Sequence, residues 1–139
     1  MAADPMTRRY TRARGFSLIE LMITVAILAI IAMVAIPSYQ ENVIKSRRSD
    51  GQIALNLLAQ RLERCQTQFG RYDAADCVIN TPFSSPEGYY SLTIVARNAN
   101  SYTLSAEPVG PQVRDTACAT LTVNNFGQRT ASGTQADKC

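Results

Sequence analysis

Residues 16–36 read FSLIELMITVAILAIIAMVAI, a run of 21 residues in which Glu20 is the one charge and, from Leu21 onward, Thr24 the one polar side chain. As an α-helix this run is about 31 Å long, close to the ~30 Å hydrocarbon thickness of a bilayer. A chain of 139 residues amounts to one small domain, too little material to wrap a helix that is apolar on every face. A cleavable secretory signal has an apolar core of about 7 to 15 residues and then a small-x-small cut site. Here the run is longer and continues through Ile36-Pro37 into more helix-like sequence. It reads as a retained membrane anchor.

Ahead of the run, Arg8, Arg9, Arg12 and Arg14 against Asp4 carry the whole net charge of +3, and after residue 15 ten cations balance ten acids. The basic character therefore belongs to residues 1–15 and describes nothing of the body. Four arginines on the amino side of an apolar span place that side in the cytoplasm and the carboxyl side outside. The chain has no His, which removes the commonest general base and metal ligand, and with it Ser/His/Asp triads, Cys/His dyads and His-containing zinc sites. No enzyme is expected, and no cofactor or metal.

Behind the run, Pro37 lacks an amide hydrogen and is expected to kink or interrupt a helix. Helical character returns over residues 38–69, with Ile53 and Leu57 on one line and Ala54, Leu58, Leu62, Cys65 and Phe69 on another. That side can be covered by a sheet, and Lys45, Arg48, Gln52, Arg61 and Arg64 lie on the opposite side. Asp50-Gly51 weakens a helix by about 1 kcal/mol relative to Ala, so a flexible point is expected there. The whole is read as one helix of about 50 residues in two pieces. Residues 70–87 hold Gly70, Pro82 and Ser84-Ser85-Pro86 and read as loop. Alternation at Tyr90, Leu92, Ile94 and Ala96, a turn over residues 98–101 and alternation at Tyr102, Leu104 and Ala106 predict a hairpin. Ala119, Leu121 and Val123 mark a third strand, and residues 128–131 a short fourth one after the turn at Asn124-Asn125-Phe126-Gly127. The expected fold class is α+β: a long N-terminal helix, half transmembrane and half amphipathic, packed on a small antiparallel sheet. The expected division is 1–15, 16–37, 38–69 and 70–139.

All four cysteines, Cys65, Cys77, Cys118 and Cys139, lie beyond the anchor, and an even number in a small extracytoplasmic domain favours disulfides. Of the three possible pairings, Cys65 with Cys77 and Cys118 with Cys139 each close a short local loop. The absence of a CxxC spacing and of His argues against a metal or redox site. Asp73, Asp76, Glu87, Glu107, Asp115 and Asp137 are scattered and read as solvated turn acids. Asp73-x-x-Asp76 lacks the ligand density of a calcium loop.

A lone carboxylate in an apolar helix costs about 2.5 to 3.5 kcal/mol at the bilayer centre, so Glu20 needs a reason to be there. One reason is local: Ser17-x-x-Glu20 fits a capping box. The other comes from the surrounding residues. GFSLIELMITVAILAIIAMVAIP resembles the leader and N-terminal helix of type IV pilins and related pseudopilins, with Gly15, Phe16, Glu20 and Pro37 each where that motif has them. Cys118-Ala119-Thr120-Leu121, Gly127 and Cys139 are similar to the tail of PilE-like minor pilins. The extra residues 1–5 ahead of Met6 depart from the short leaders of the family, and translation from Met6 would leave the cut unaffected.

The resemblance implies the pilin fold, cleavage by a prepilin peptidase between Gly15 and Phe16, and N-methylation of Phe16. It implies storage in the inner membrane with the head in the periplasm, then assembly with other pilin subunits, through an inner-membrane platform, into an extracellular pilus serving twitching motility and adhesion. Removing the leader leaves one cation, the Phe16 amine, about 6 Å of helix rise from Glu20. A buried ion needs a partner, so Glu20 becomes the acceptor for a neighbour's amine in a bundle of such helices. The nearest alternative is a pseudopilin of a type II secretion system. Lys45-Ser46-Arg47-Arg48 raises nucleic-acid binding, but such a cluster beyond an anchor more often meets solvent or lipid headgroups. With a neutral body, nucleic acid is not the expected partner.

Overall fold

The computed structural model describes residues 15–139. The leader and its arginines therefore lie outside the described residues, save Gly15. Two compact units are formed, Met1–Ser38 and Tyr39–Cys139. In the first, the described part is residues 15–17 and the beginning of α1, Leu18–Phe69. Pro37 sits inside this 52-residue helix and does not interrupt it, although its missing amide leaves the Met33 carbonyl without the usual donor. None of the apolar stretch is buried. Within the helix the one hydroxyl of that stretch is satisfied internally, Thr24 Oγ1 donating to the Leu21 carbonyl at 2.8 Å.

In the second unit the later half of α1 packs on a five-stranded antiparallel sheet in sequential order: β1, Phe83–Ser84; β2, Tyr90–Arg97; β3, Tyr102–Pro108; β4, Leu121–Asn124; β5, Arg129–Ala131. Pairing sets Leu92 opposite Ala106 and Leu104 opposite Val123, which aligns one apolar face. Ala54, Leu55, Leu58, Leu62 and Cys65 of α1 meet Tyr90, Leu92, Leu104, Ala106, Leu121 and Val123 to form the core. Two short 3-10 helices, Gly110–Arg114 and Ala136–Lys138, complete the fold.

The sequence expectation differs from the structure in four places. The line through Ile53 and Leu57 faces outward, because the sheet covers the side centred on Leu58 and takes Leu55 with it. β1 appears inside the expected loop; two residues are too few to show a period. The register of β2 slips between Ile94 and Ala96, so Val95 and Ala96 both stay exposed and the alternation ends early.

The fourth difference is at Asp50-Gly51, which is buried and continuous with the helix on both sides. A Cβ on Gly51 would stand 2.9 Å from Cγ and Cδ2 of Tyr90, a ring with no exposed surface. Glycine is there to let the ring approach the helix backbone, not to loosen the helix. Gly51→Ala should therefore lower stability by about 1 kcal/mol, overpacking outweighing the gain of similar size that this change gives in an exposed helix. Thermal unfolding of the chain in detergent reads the sign.

Candidate assembly site

The residues singled out for processing form the start of the described chain. Gly15, Phe16 and Ser17 precede the helix, so the Gly15–Phe16 peptide bond is outside regular structure. Phe16 is 87% exposed. The Leu21 amide donates to the Ser17 carbonyl at 3.1 Å and begins α1. Among the described residues no side-chain hydrogen bond joins Ser17 and Glu20, so the capping box does not form. Glu20 stands exposed in the first turn, where a negative charge favours the positive end of the helix dipole, and no side chain among the described residues donates to its carboxylate.

Three polar clamps fix the head against α1. In the first, the Arg48 guanidinium donates to Asp115 through Nε at 2.5 Å and Nη2 at 2.8 Å. Asp115 also accepts from the Cys118 amide at 3.1 Å and from Gln112 Nε2 at 3.2 Å. Gln112, fully buried, donates in turn to the Tyr90 hydroxyl and the Ile44 carbonyl, both at 3.2 Å. Burial would push the Asp115 carboxyl up, but Arg48 and the Cys118 and Ala117 amides outweigh it and hold the group below its usual range. Arg48 is thus not on a solvated face, and Asp115 is not a solvated turn acid.

In the second clamp Asp50 accepts from the Ser85 hydroxyl and from the Glu87 and Tyr89 amides, the latter two at 3.0 and 3.3 Å. This ties the middle of α1 to the segment entering β2. In the third, Glu63 accepts from Tyr72 at 3.2 Å and Tyr102 at 3.0 Å, and the two rings meet edge to face at 4.9 Å. Burial first, and the Glu63 charge with it, push both tyrosine hydroxyls up, so both remain donors at neutral pH. None of these partners was legible beforehand: 67 residues separate Arg48 from Asp115, and no local pattern marks either.

Cys65 is joined to Cys77 across 12 residues and Cys118 to Cys139 across 21, with Cα separations of 5.7 and 5.9 Å. The first holds the irregular loop to the end of α1 and the second returns the tail to the segment before β4. Each contributes about 2 to 4 kcal/mol by shortening the unfolded chain's loops. Asp73 is taken by Arg71 at 2.6 Å. Among the described residues no group of three or more His, Cys, Asp or Glu is placed to hold a metal.

A helix whose first half is apolar and bare, and whose second half is clamped to a disulfide-bonded antiparallel sheet, defines a filament subunit of the pilin type. Residues 37–122 match the family model described as type IV minor pilin ComP, DNA uptake sequence receptor, and residues 10–36 match the prokaryotic N-terminal methylation motif. A fimbrial protein of Dichelobacter nodosus is 33% identical over 122 residues, which is 86% of this chain and 71% of that one. Prepilin peptidase-dependent protein D of Escherichia coli K12 is 32% identical over 93 residues, 66% of this chain and 64% of that one. The crystal structure of the non-core minor pilin PilV of Neisseria meningitidis superposes with a TM-score of 0.50 at 26% identity, covering 67% of this chain and 90% of that one. The chain belongs to the type IV pilin family. It is a structural pilus subunit, and the family is not one of enzymes.

Proposed function

We propose that this chain is a minor pilin, made with a leader at residues 1–15 that a prepilin peptidase removes between Gly15 and Phe16 before the Phe16 amine is methylated. The E. coli relative's name, a prepilin peptidase-dependent protein, and the match of residues 10–36 to the methylation motif support this step. Residues 16–37 then hold the subunit in the inner membrane with its head in the periplasm, and an inner-membrane platform moves it into a filament with other pilins. The observation that carries the reading is the apolar half of α1, long enough to cross a bilayer, unburied, and bearing one acid in its first turn. Lateral packing of such helices replaces lipid contacts, and Glu20 pairs with a neighbour's Phe16 amine to set the axial register. Pro37 marks the end of the packed segment.

The head, outside, supplies subunit contacts and a surface for adhesion and motility. Deleting the gene should abolish twitching while sparing protein export; loss of export with twitching intact would make the chain a secretion pseudopilin instead. The tail disulfide, shared with the PilE-like pattern, favours the pilus. A second reading, uptake of extracellular DNA, is supported by the description of the family model matched over residues 37–122. Duplex DNA retarded by the chain in a salt-dependent manner would add that role, and no retardation at low salt would remove it.

A further inference from the structure

The charges of the head are not spread evenly. A concavity of about 430 Å³ is lined by Lys45 and Arg48 of α1, Arg114 of the first 3-10 helix and Lys138 of the second, with Glu41 and Asp115. A second of about 270 Å³ shares Ile44 and Arg114 with it and adds Arg47, Tyr39 and Pro111. Five of the ten cations after residue 38 line these two hollows, but only two of the nine acids do, and Asp115 is consumed by Arg48. The remainder of the head carries five cations against seven acids. Arg47 lies over the Tyr89 ring at 4.6 Å, and no salt bridge engages Lys45, Arg114 or Lys138 among the described residues.

We propose that Lys45, Arg47, Arg114 and Lys138 form a collar that binds the phosphates of anionic phospholipid headgroups while the subunit is stored in the membrane. The inference rests on the anchored reading above. Lys45 is nine residues past Ile36, a rise of about 14 Å as helix. Beyond the hydrocarbon lies a headgroup layer of roughly 5 to 8 Å, and the surface potential extends a further Debye length of about 8 Å. With only nine residues from Ile36 to Lys45, a chain held in a bilayer by its apolar stretch keeps Lys45 within reach of the lipid surface. Each basic residue at an anionic surface is worth about a fivefold preference. Once the leader arginines are cut away, these cations become the larger charged group flanking the span. They hold the subunit in an anionic bilayer until an extraction step overcomes them.

Lys45 and Lys138 are the only lysines in the chain, so an amine-reactive reagent reports on the collar directly. The full chain is placed in nanodiscs of phosphatidylcholine alone or with about one third phosphatidylglycerol, and labelling rates are read by mass spectrometry. The amine introduced by Gln68→Lys, at an exposed position near the end of α1, corrects for the lower pH at an anionic surface. Both collar lysines should be labelled at least fivefold more slowly with phosphatidylglycerol, relative to that reference. The difference should vanish at 0.5 M salt and shrink in Arg114→Gln. Equal rates in the two lipids overturn the collar. Slowing by added duplex DNA, with none by phosphatidylglycerol, also overturns it and gives these residues to nucleic acid. Recovery of the chain outside both kinds of disc overturns the anchored reading itself, and the collar with it.

Discussion

Glu20→Ala should leave leader removal intact and reduce the chain's content in sheared filaments by at least a hundredfold. Under the proposed assembly the Phe16 amine and Glu20 are brought together in a dry helical bundle, where each ion is tolerable because it faces the other. Removing one partner of a buried pair leaves the other charge uncompensated at a cost of about 3 to 5 kcal/mol, a factor of roughly 10² to 5 × 10³ in each incorporation event. Within the isolated subunit the change is harmless: Glu20 is exposed, no hydrogen bond to another described side chain depends on it, and Ala is the better helix former. The variant therefore separates assembly from folding. Normal filament content would mean that the acid serves the single helix and not its neighbours. Glu20→Gln sharpens the test, since it keeps the shape and an acceptor but lacks the charge.

Asp115→Ala should destabilise the head by about 3 to 5 kcal/mol, read as a lowered unfolding midpoint in detergent. The side chain is 1% exposed and its Arg48 partner 16%. Truncation strands the guanidinium, the Cys118 amide and one Gln112 donor together, and Gln112 already has an unpaired Oε1. Since Gln112 also holds the Tyr90 hydroxyl, the damage reaches the ring that packs on Gly51. Asp115→Asn keeps an acceptor and should cost less. The pH dependence has a definite sign. A carboxyl held below its ordinary value in the folded state stabilises fully above the unfolded pKa, about 4. That contribution is lost as pH falls from there through the lowered native value. The wild-type head should weaken with acid over this window, and Asp115→Asn should show a shallower slope across it.

The parts of the fold that sequence reading captured are those written in short-range periods. The first half of α1 shows as a nearly continuous apolar run, the second half as spacings of three and four, and the strands as alternation. What it missed depends on partners far along the chain. Ile53 and Leu57 are as apolar as Leu58, and only the position of the sheet decides which line is covered. Asp50-Gly51 looks like a weak point in isolation, yet Tyr90 needs the missing side chain and Ser85 needs the acid. Arg48 and Asp115 each look like surface charges until the first 3-10 helix brings them together. The proposed processing motif can be read from sequence because the residues the family resemblance assigns to it, Gly15, Phe16 and Glu20, lie within six positions.

Mass spectrometry of the N-terminal peptide from sheared surface filaments tests the account most directly. The prediction is a peptide that begins at Phe16, bears one methyl group on its amine, and occurs at a copy number well below that of the abundant subunit. Recovery of the chain from cells with residues 1–15 still attached, or free in the medium without its apolar helix, would contradict it.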